Sequence, residues 1–294
     1  MTVTKTAIIK GVTTEICGFK YSVADSVRFL ILLIGSIAML YPILWMITIA
    51  LKGNTEIFKI PPDWYPKEFH FENFVDGVKT IHFWHAFGNS MLITVISTIG
   101  QVVSSVFVGY GLGRLRFPGR KMWFSFFVGS LMIPSFVGLV PIFHMFISLG
   151  WYNTWLPIIV PAFLGNATYT FLFVQFLSTI PKSFDEAAKI DGAGDFQILN
   201  RVLVPMTMPV IVTMVIFSFN ASWNQYLEPL IYLVDQDKWP LSVALASFSS
   251  NWTTQWNYFM AADLIYMLPM IILFFLGQKY FMQGLGSVNS AGLK

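Results

Sequence analysis

The chain has 294 residues, of which 55% are apolar, 17% aromatic and only 11% charged. Soluble globular proteins carry roughly 25% charged residues, so a soluble domain is excluded, as are disordered and collagen-like chains. The single cysteine, Cys17, leaves no disulfide framework, CxxC redox pair or cysteine-rich metal site.

Intervals free of Asp, Glu, Lys and Arg place the spans, since a crossing helix needs about 20 mostly apolar residues. Phe29–Leu51 is the first interval and Ala86–Gly113 the second. Met122–Pro181 has the length of two crossings, separated at Leu149-Gly150-Trp151-Tyr152-Asn153-Thr154, where turn formers interrupt the apolar pattern. Val202–Leu227 is the fifth, its start broken by Pro205 and Pro209, and about 258–281 is the sixth, with Asp263 near its outer end. The expected fold is all-α: a polytopic membrane protein with six transmembrane helices. A cytoplasmic segment over 1–28 precedes the membrane domain of 29–281, and a cytoplasmic tail over 282–294 follows it.

The distribution of Lys and Arg orients this bundle, because short cytoplasmic loops are enriched in them. Lys5, Lys10, Lys20, Arg28, Arg114, Arg116, Arg120, Lys121, Lys182, Lys189, Arg201, Lys279 and Lys294 fall on one side, against Lys52, Lys59, Lys67, Lys79 and Lys238 on the other. Both termini are expected in the cytoplasm, with the first span an uncleaved anchor. Two outer connections are long, about 52–85 and 228–257. Pro61, Pro62, Pro66 and the aromatics from Trp64 to Phe74 predict an ordered first loop on which a partner could dock.

No Gly-Lys dipeptide exists, so the chain has no phosphate-cradling GxxxxGK[ST] loop and no ATP hydrolysis of its own is expected. Ionisable groups inside a membrane commonly carry a driving ion; only Asp263 and His144 qualify. Asp263 reads as an interfacial or packing group and His144 as a neutral core histidine. His70, His82 and His85 match no zinc-ligand spacing. Neither an active site nor a metal site nor a nucleic-acid partner is expected.

The fourth connection, about 181–201, carries the sharpest pattern. Ser183 and Glu186 have the S-x-x-E spacing of a capping box, and Gly192 suits the left-handed residue that ends a helix. Helices this short are marginal alone in water, so one needs a surface to pack on, and Ala187, Ala188 and Ala193 permit close approach. Local physics leaves open whether that surface is the chain's own membrane domain or a partner.

Glu186-Ala187-Ala188, three residues, Gly192, nine residues, then Val202-Leu203-Val204-Pro205 resembles the EAA loop of bacterial ATP-binding-cassette importer permeases, E-A-A-x3-G-x9-I-x-L-P, with Val at the usual Ile and Leu positions. Glu72-Asn73-Phe74, Asn89-Ser90, Tyr110 through Arg120, Met132-Ile133-Pro134, Leu149-Gly150, Asn153-Thr154, Ile190-Asp191-Gly192-Ala193 and Trp223-Asn224 extend the resemblance to the carbohydrate branch, in its six-span, maltose permease G-like form. The resemblance implies an inner-membrane subunit that pairs with a second permease. Two cytoplasmic ATPases, which hold the ATP and Mg, and an extracytoplasmic solute-binding protein complete the assembly, and the pathway works by alternating access. It assigns Glu186, Ala187, Ala188, Asp191 and Gly192 to ATPase docking. The tail departs from the family's usual ending.

Asn220, Trp223, Asn224 and Tyr226 near the fifth span's outer end, and Asn166 and Tyr169 in the fourth, are candidates for the pathway wall. They read equally as interhelical hydrogen-bonding groups. Gly109 and Gly113 suit close helix packing, and Trp239 through Trp256 an interfacial aromatic belt. The expected solute is a sugar, as an oligosaccharide, with an acidic one of the alginate or oligogalacturonide kind as the subgroup suggested by Gly150–Asn166. The competing readings are an ion-coupled carrier acting without an ATPase, an importer for a solute such as a glycerol phosphate, and a non-transporting receptor.

Overall fold

A computed structural model describes residues 13–16, 19–250 and 255–291. Strands β1 (Thr13–Ile16) and β2 (Phe19–Ser22) pair antiparallel as a small ribbon. The helices follow as α1 (Val23–Ala50), α2 (Asn54–Ile57), α3 (Glu72–Thr80), α4 (Phe83–Gly113), α5 (Arg120–Gly129) and α6 (Leu139–Ser148). Next come α7 (Leu156–Ile159), α8 (Ala167–Ser178), α9 (Ser183–Ile190), α10 (Asp195–Gln197), α11 (Val204–Met206) and α12 (Met208–Trp223), then α13 (Leu227–Tyr232), α14 (Leu241–Ala246) and α15 (Trp256–Ala291). The all-α class therefore holds, apart from the terminal ribbon. Cys17, the first residues of the chain and its last three lie outside the described residues.

Among the described residues, four helical stretches are long and apolar enough to cross a membrane, Asp25–Ala50, Phe83–Gly113, Leu156–Ser178 and Trp256–Lys279. Two further pairs pass only when each bent pair is taken as one span: Arg120–Met132 with Phe136–Ser148, bent by 88°, and Asp195–Met206 with Met208–Trp223, bent by 82°. The first bend falls at Pro134, which cannot donate an N–H and drives its predecessor Ile133 into extended backbone (ψ 118°). The second falls at Thr207, between Pro205 and Pro209. The first helix begins at Val23, before Phe29, because Asp25 and Arg28 pair across one turn at 3.1 Å and do not interrupt it.

The Leu156–Ser178 stretch changes course at Gly165, whose φ of +91° is open only to a residue without a Cβ at low cost. Asn166 then restarts the helix, its side-chain oxygen accepting from the N–H groups of Thr168 (2.9 Å) and Tyr169 (3.2 Å). Small residues of α4 let this broken segment approach. A Cβ on Gly100 would lie 2.8 Å from the Phe163 ring, and one on Gly109 would lie 2.8 Å from Phe173. The close-packing reading of Gly109 and Gly113 thus describes the contact with Phe173 and Leu177.

Among the described residues, three apolar clusters fill the bundle. One joins α4 and α8 to the stretch from Ile198 to Met214, another collects Phe83, Phe219, Trp223 and Leu241, and the third gathers Ile93, Phe146, Ile158 and Tyr232. Connections segregate to the two ends. At one end Asn257 donates to Asn73 (3.0 Å) and Asn89 to the Asp237 carbonyl (2.7 Å), which joins the first and last long loops. At the other, Arg114 meets the segment around α9.

The first long loop is ordered. Lys52 is buried, donates to the Asp63 carbonyl and lies 5.2 Å from the centroid of Trp45. Buried Asn73 donates to the carbonyls of Ala50 (2.8 Å) and Lys52 (2.9 Å).

Candidate functional site

Helix α9 is the element the E-A-A pattern marks, and its two faces differ. Its start does not use the expected capping box: the helix opens at Ser183 itself with Lys182 in the cap position, and the Glu186 N–H donates to the Lys182 carbonyl at 3.1 Å. Ser183 thus falls inside the first turn, one residue too late to cap it. The end is as the sequence suggests. Gly192 has φ +83°, its N–H reaches the Lys189 carbonyl at 3.0 Å, and the Ala193 N–H reaches the Ala188 carbonyl at 2.9 Å. These are the two bonds of a Schellman motif, and the Ala188 and Ala193 side chains close it against the first apolar cluster.

The inward face of α9 is held by charge. Arg114, at the end of α4, approaches Asp185 at 3.2 Å (Nε to Oδ2), with the two side chains only 5% and 15% exposed. Its Nη2 donates to the Ile180 carbonyl at 2.8 Å. Arg120 donates to the carbonyls of Gly113 (3.1 Å) and Leu115 (3.3 Å) and so fixes the turn on the other side of Arg114. The outward face is open: Glu186, Ala187, Asp191 and Gly192 are exposed, as are Phe184 and Ile190, the latter at 87%. After α9, a π-helical stretch, Ile198–Leu203, buries Ile198, Leu199 and Leu203 beneath it.

A cavity of about 470 Å³ opens beside the break at Gly165. Its polar lining comprises Ser97, Gln101, Asn166, Ser222, Gln225 and Glu228, and its apolar lining includes Phe146, Trp151 and Tyr232. Ser97 is buried with its hydroxyl unpartnered, while Gln101 accepts from Ser218 at 2.8 Å. Crowding by protein pushes the Glu228 carboxyl above its ordinary range, and a hydrogen bond from Gln225 opposes that.

Of the six pathway candidates, only Asn166 lines this cavity. Trp223 is buried, stacks on Phe219 and Tyr266, and donates to the Tyr266 carbonyl at 3.2 Å. Tyr169 is buried in the first apolar cluster. Asn220 and Asn224 are exposed and bond to each other at 2.6 Å, and Tyr226 is exposed beside them. Sequence reasoning passed over Ser97, Gln101 and Glu228, which become neighbours only when α4, α8 and α13 pack. His144, expected in a core, is exposed on α6.

At the loop end, Asn153 (φ +59°) ties two connections together. Its Oδ1 accepts from the N–H groups of Val234 and Asp235, both at 3.1 Å, its Nδ2 donates to Asp235 at 2.7 Å, and Lys238 donates to its carbonyl at 3.0 Å. Hydrogen bonds from Lys238 and Asn153 hold the Asp235 carboxyl below its ordinary range.

Residues 105–287 match the family described as binding-protein-dependent transport system inner membrane component. The probable ABC transporter permease protein YurM of Bacillus subtilis is 31% identical over 282 residues, covering 93% of this chain and 91% of YurM. The diacetylchitobiose uptake system permease protein NgcG of Streptomyces coelicolor is 29% identical over 252 residues, 85% of this chain and 83% of NgcG. Among solved structures, a chain of a bacterial ABC transporter involved in import of the acidic polysaccharide alginate superposes with a TM-score of 0.76 at 24% identity, covering 89% of this chain and 99% of that one. Broken apolar spans, a short helix ending in a glycine Schellman turn, and family matches over most of the length converge: the chain belongs to the binding-protein-dependent transport system inner membrane components, the permease subunits of ABC transporters.

Proposed function

We propose that this chain forms half of the translocation pathway of an ATP-driven, binding-protein-dependent sugar importer, and that α9 is its coupling helix. The observation that carries this reading is the two-faced α9. Its inward face is tied to α4 through Arg114 and Asp185, while Glu186, Ala187, Asp191 and Gly192 stay open for an ATPase. A rigid attachment on one side and an open surface on the other is what transmission of a push requires. The same geometry supports this reading: Ala188 and Ala193 rest on the chain's own domain, which leaves the opposite face of α9 open.

In this mechanism ATP binding closes a pair of cytoplasmic ATPases, which hold the nucleotide and Mg. The α9 helices of two different permease subunits move with them, and the pathway opens outward to a sugar delivered by an external binding protein. Hydrolysis resets it. Both termini and α9 lie in the cytoplasm in this reading, supported by the thirteen basic residues on that side and by the segregation of loops to two ends. The sugar assignment draws support from NgcG, whose name gives diacetylchitobiose, and from the alginate importer that shares the fold.

The test is purification and reconstitution. Glu186→Arg is expected to abolish co-purification of the ATPases while leaving membrane insertion intact. Sugar uptake into liposomes holding the permease pair without any ATPase would overturn the proposal in favour of an ion-coupled carrier.

A further inference from the structure

The cavity beside Gly165 has one chemical property that none of the family likenesses specifies: its sign. Its six polar lining residues are the hydroxyls of Ser97 and Ser222, the amides of Gln101, Asn166 and Gln225, and the carboxyl group of Glu228. No Lys, Arg or His lines it. In addition, no Lys or Arg lies within the stretches 83–113, 156–178, 208–223 or 256–278, and the cation closest to Glu228 in sequence, Lys238, is paired with Asp235 at 2.8 Å. Glu228 is open to the cavity rather than locked in an ion pair, and Gln225 is its hydrogen-bond neighbour.

The remainder of the lining suits a sugar ring. Trp151 stacks on Phe146 with centroids 5.4 Å apart, and both rings line the cavity together with the polar residues. The Ser97 hydroxyl, 2% exposed at residue level and without a partner, has hydrogen-bonding capacity that a solute hydroxyl can meet. A concave apolar site with a few convergent polar groups is the ordinary form of a small-molecule site. In its ionised form a carboxyl group on the wall of a concave site repels anions and attracts cations over several ångströms.

We infer that this cavity is a solute subsite for uncharged or amino-bearing sugar units, and that Glu228 excludes anionic ones. The inference rests on the sugar-importer reading for the identity of the solute, and on the cavity alone for its charge preference. It sets this chain apart from the acidic oligosaccharides suggested by Gly150–Asn166.

The experiment places a reporter thiol in the cavity, Ser222→Cys in a Cys17→Ser background, in membrane vesicles containing the assembled transporter. The label is either a trimethylammonium or a sulfonate methanethiosulfonate. With Glu228 present, the cation-to-anion rate ratio is expected to exceed that of a free thiol in solution by roughly tenfold. Glu228→Gln brings the ratio to the free-thiol value, and Glu228→Lys reverses it. N-acetylated chitotetraose slows labelling, and tetragalacturonate does not. A ratio indifferent to residue 228, or a thiol unreactive to both reagents, overturns the inference. Protection by tetragalacturonate equal to that by chitotetraose overturns it and leaves the importer reading standing. Protection by neither sugar, with the ratio still governed by Glu228, removes the sugar assignment and retains the charge preference.

Discussion

Arg114 and Asp185 meet at 3.2 Å, almost out of contact with solvent, and join the end of the second apolar span to the short helix that follows the fourth. Arg114 also donates to the Ile180 carbonyl, so one guanidinium grips both the entry to α9 and its first turn. A buried pair of this kind is costly to break, because the partner left behind is an uncompensated charge. Replacing either partner is therefore expected to lower stability by about 3 kcal/mol and to uncouple transport from ATP hydrolysis. Arg114→Met should leave ATPase activity measurable in the assembled transporter while sugar uptake falls at least tenfold, by analogy with the loss of a positioning contact. The charge-swapped double variant Arg114→Asp with Asp185→Arg restores part of the uptake, because the Ile180 bond is still missing. A double-mutant cycle on uptake and thermal unfolding checks this, and strict additivity would show that the pair does not act as a unit.

Gly192 tests the shape of the same helix. Its φ of +83° is a left-handed conformation, and a Cβ there meets no other atom within 4 Å. Gly192→Ala is thus expected to cost about 1 kcal/mol from backbone strain alone, with no clash. Gly192→Asn should cost less, since Asn tolerates that region. Thermal unfolding ranks the variants, and equal losses for Ala and Asn would argue against a backbone cause.

Much of this architecture is legible in the sequence, for physical reasons that also explain what is not. Charge-free intervals mark apolar stretches because the membrane forbids unpaired charges, and the glycine at 192 marks a helix end because few other residues accept its φ. What escapes is whatever depends on which faces meet. Lys52 counts in sequence as a loop charge, yet it is buried beside Trp45. Trp223 reads in sequence either as a pathway-wall residue or as an interhelical hydrogen-bonding group, and only the packing shows its ring filling the gap between Phe219 and Tyr266. Glu228 falls at the edge of a loop in sequence and becomes a wall of the cavity only through the packing of segments more than a hundred residues apart. The bend at Pro134 was within reach of sequence reasoning, since a proline inside an apolar run is a standing reason to doubt a straight helix.

The small residues of α4 and α3 give a graded packing test. A Cβ on Gly77 would lie 2.7 Å from the Tyr258 backbone carbonyl, and on Gly109 2.8 Å from the Phe173 side chain, while on Gly111 it meets nothing within 4 Å. Gly77→Ala has no flexible neighbour to displace and should destabilise by about 2 kcal/mol. Gly109→Ala should cost less because a ring can shift. Gly111→Ala should be neutral or mildly stabilising, as expected for Gly to Ala in a helix interior. Unfolding midpoints in detergent order the three, and a destabilised Gly111→Ala would show that α4 packs more tightly on that face than the structure shows.

The first long loop carries a pH-sensitive contact. His70 Nδ1 and Glu72 Oε1 lie 2.7 Å apart, and that bond raises the His70 pKa above 6.5 and lowers that of Glu72 below 4.5. The signs work together. The His70 contribution is fully present below pH 6.5 and is lost as pH rises through its elevated folded value. The Glu72 contribution is present above pH 4.5 and is lost as pH falls through its depressed folded value. The contact is therefore strongest between those limits, in mildly acidic conditions, and weakens toward alkaline pH. Glu72 is solvent-exposed and His70 partly so, so the effect is local, and it bears on the loop because the His70 backbone N–H donates to the Leu51 carbonyl at 3.0 Å. Limited proteolysis between Lys59 and Phe71 should be slower at pH 5.5 than at pH 8 after correction for the protease's own profile. His70→Phe should flatten that difference, and a difference that survives the substitution would place the sensitivity elsewhere in the loop.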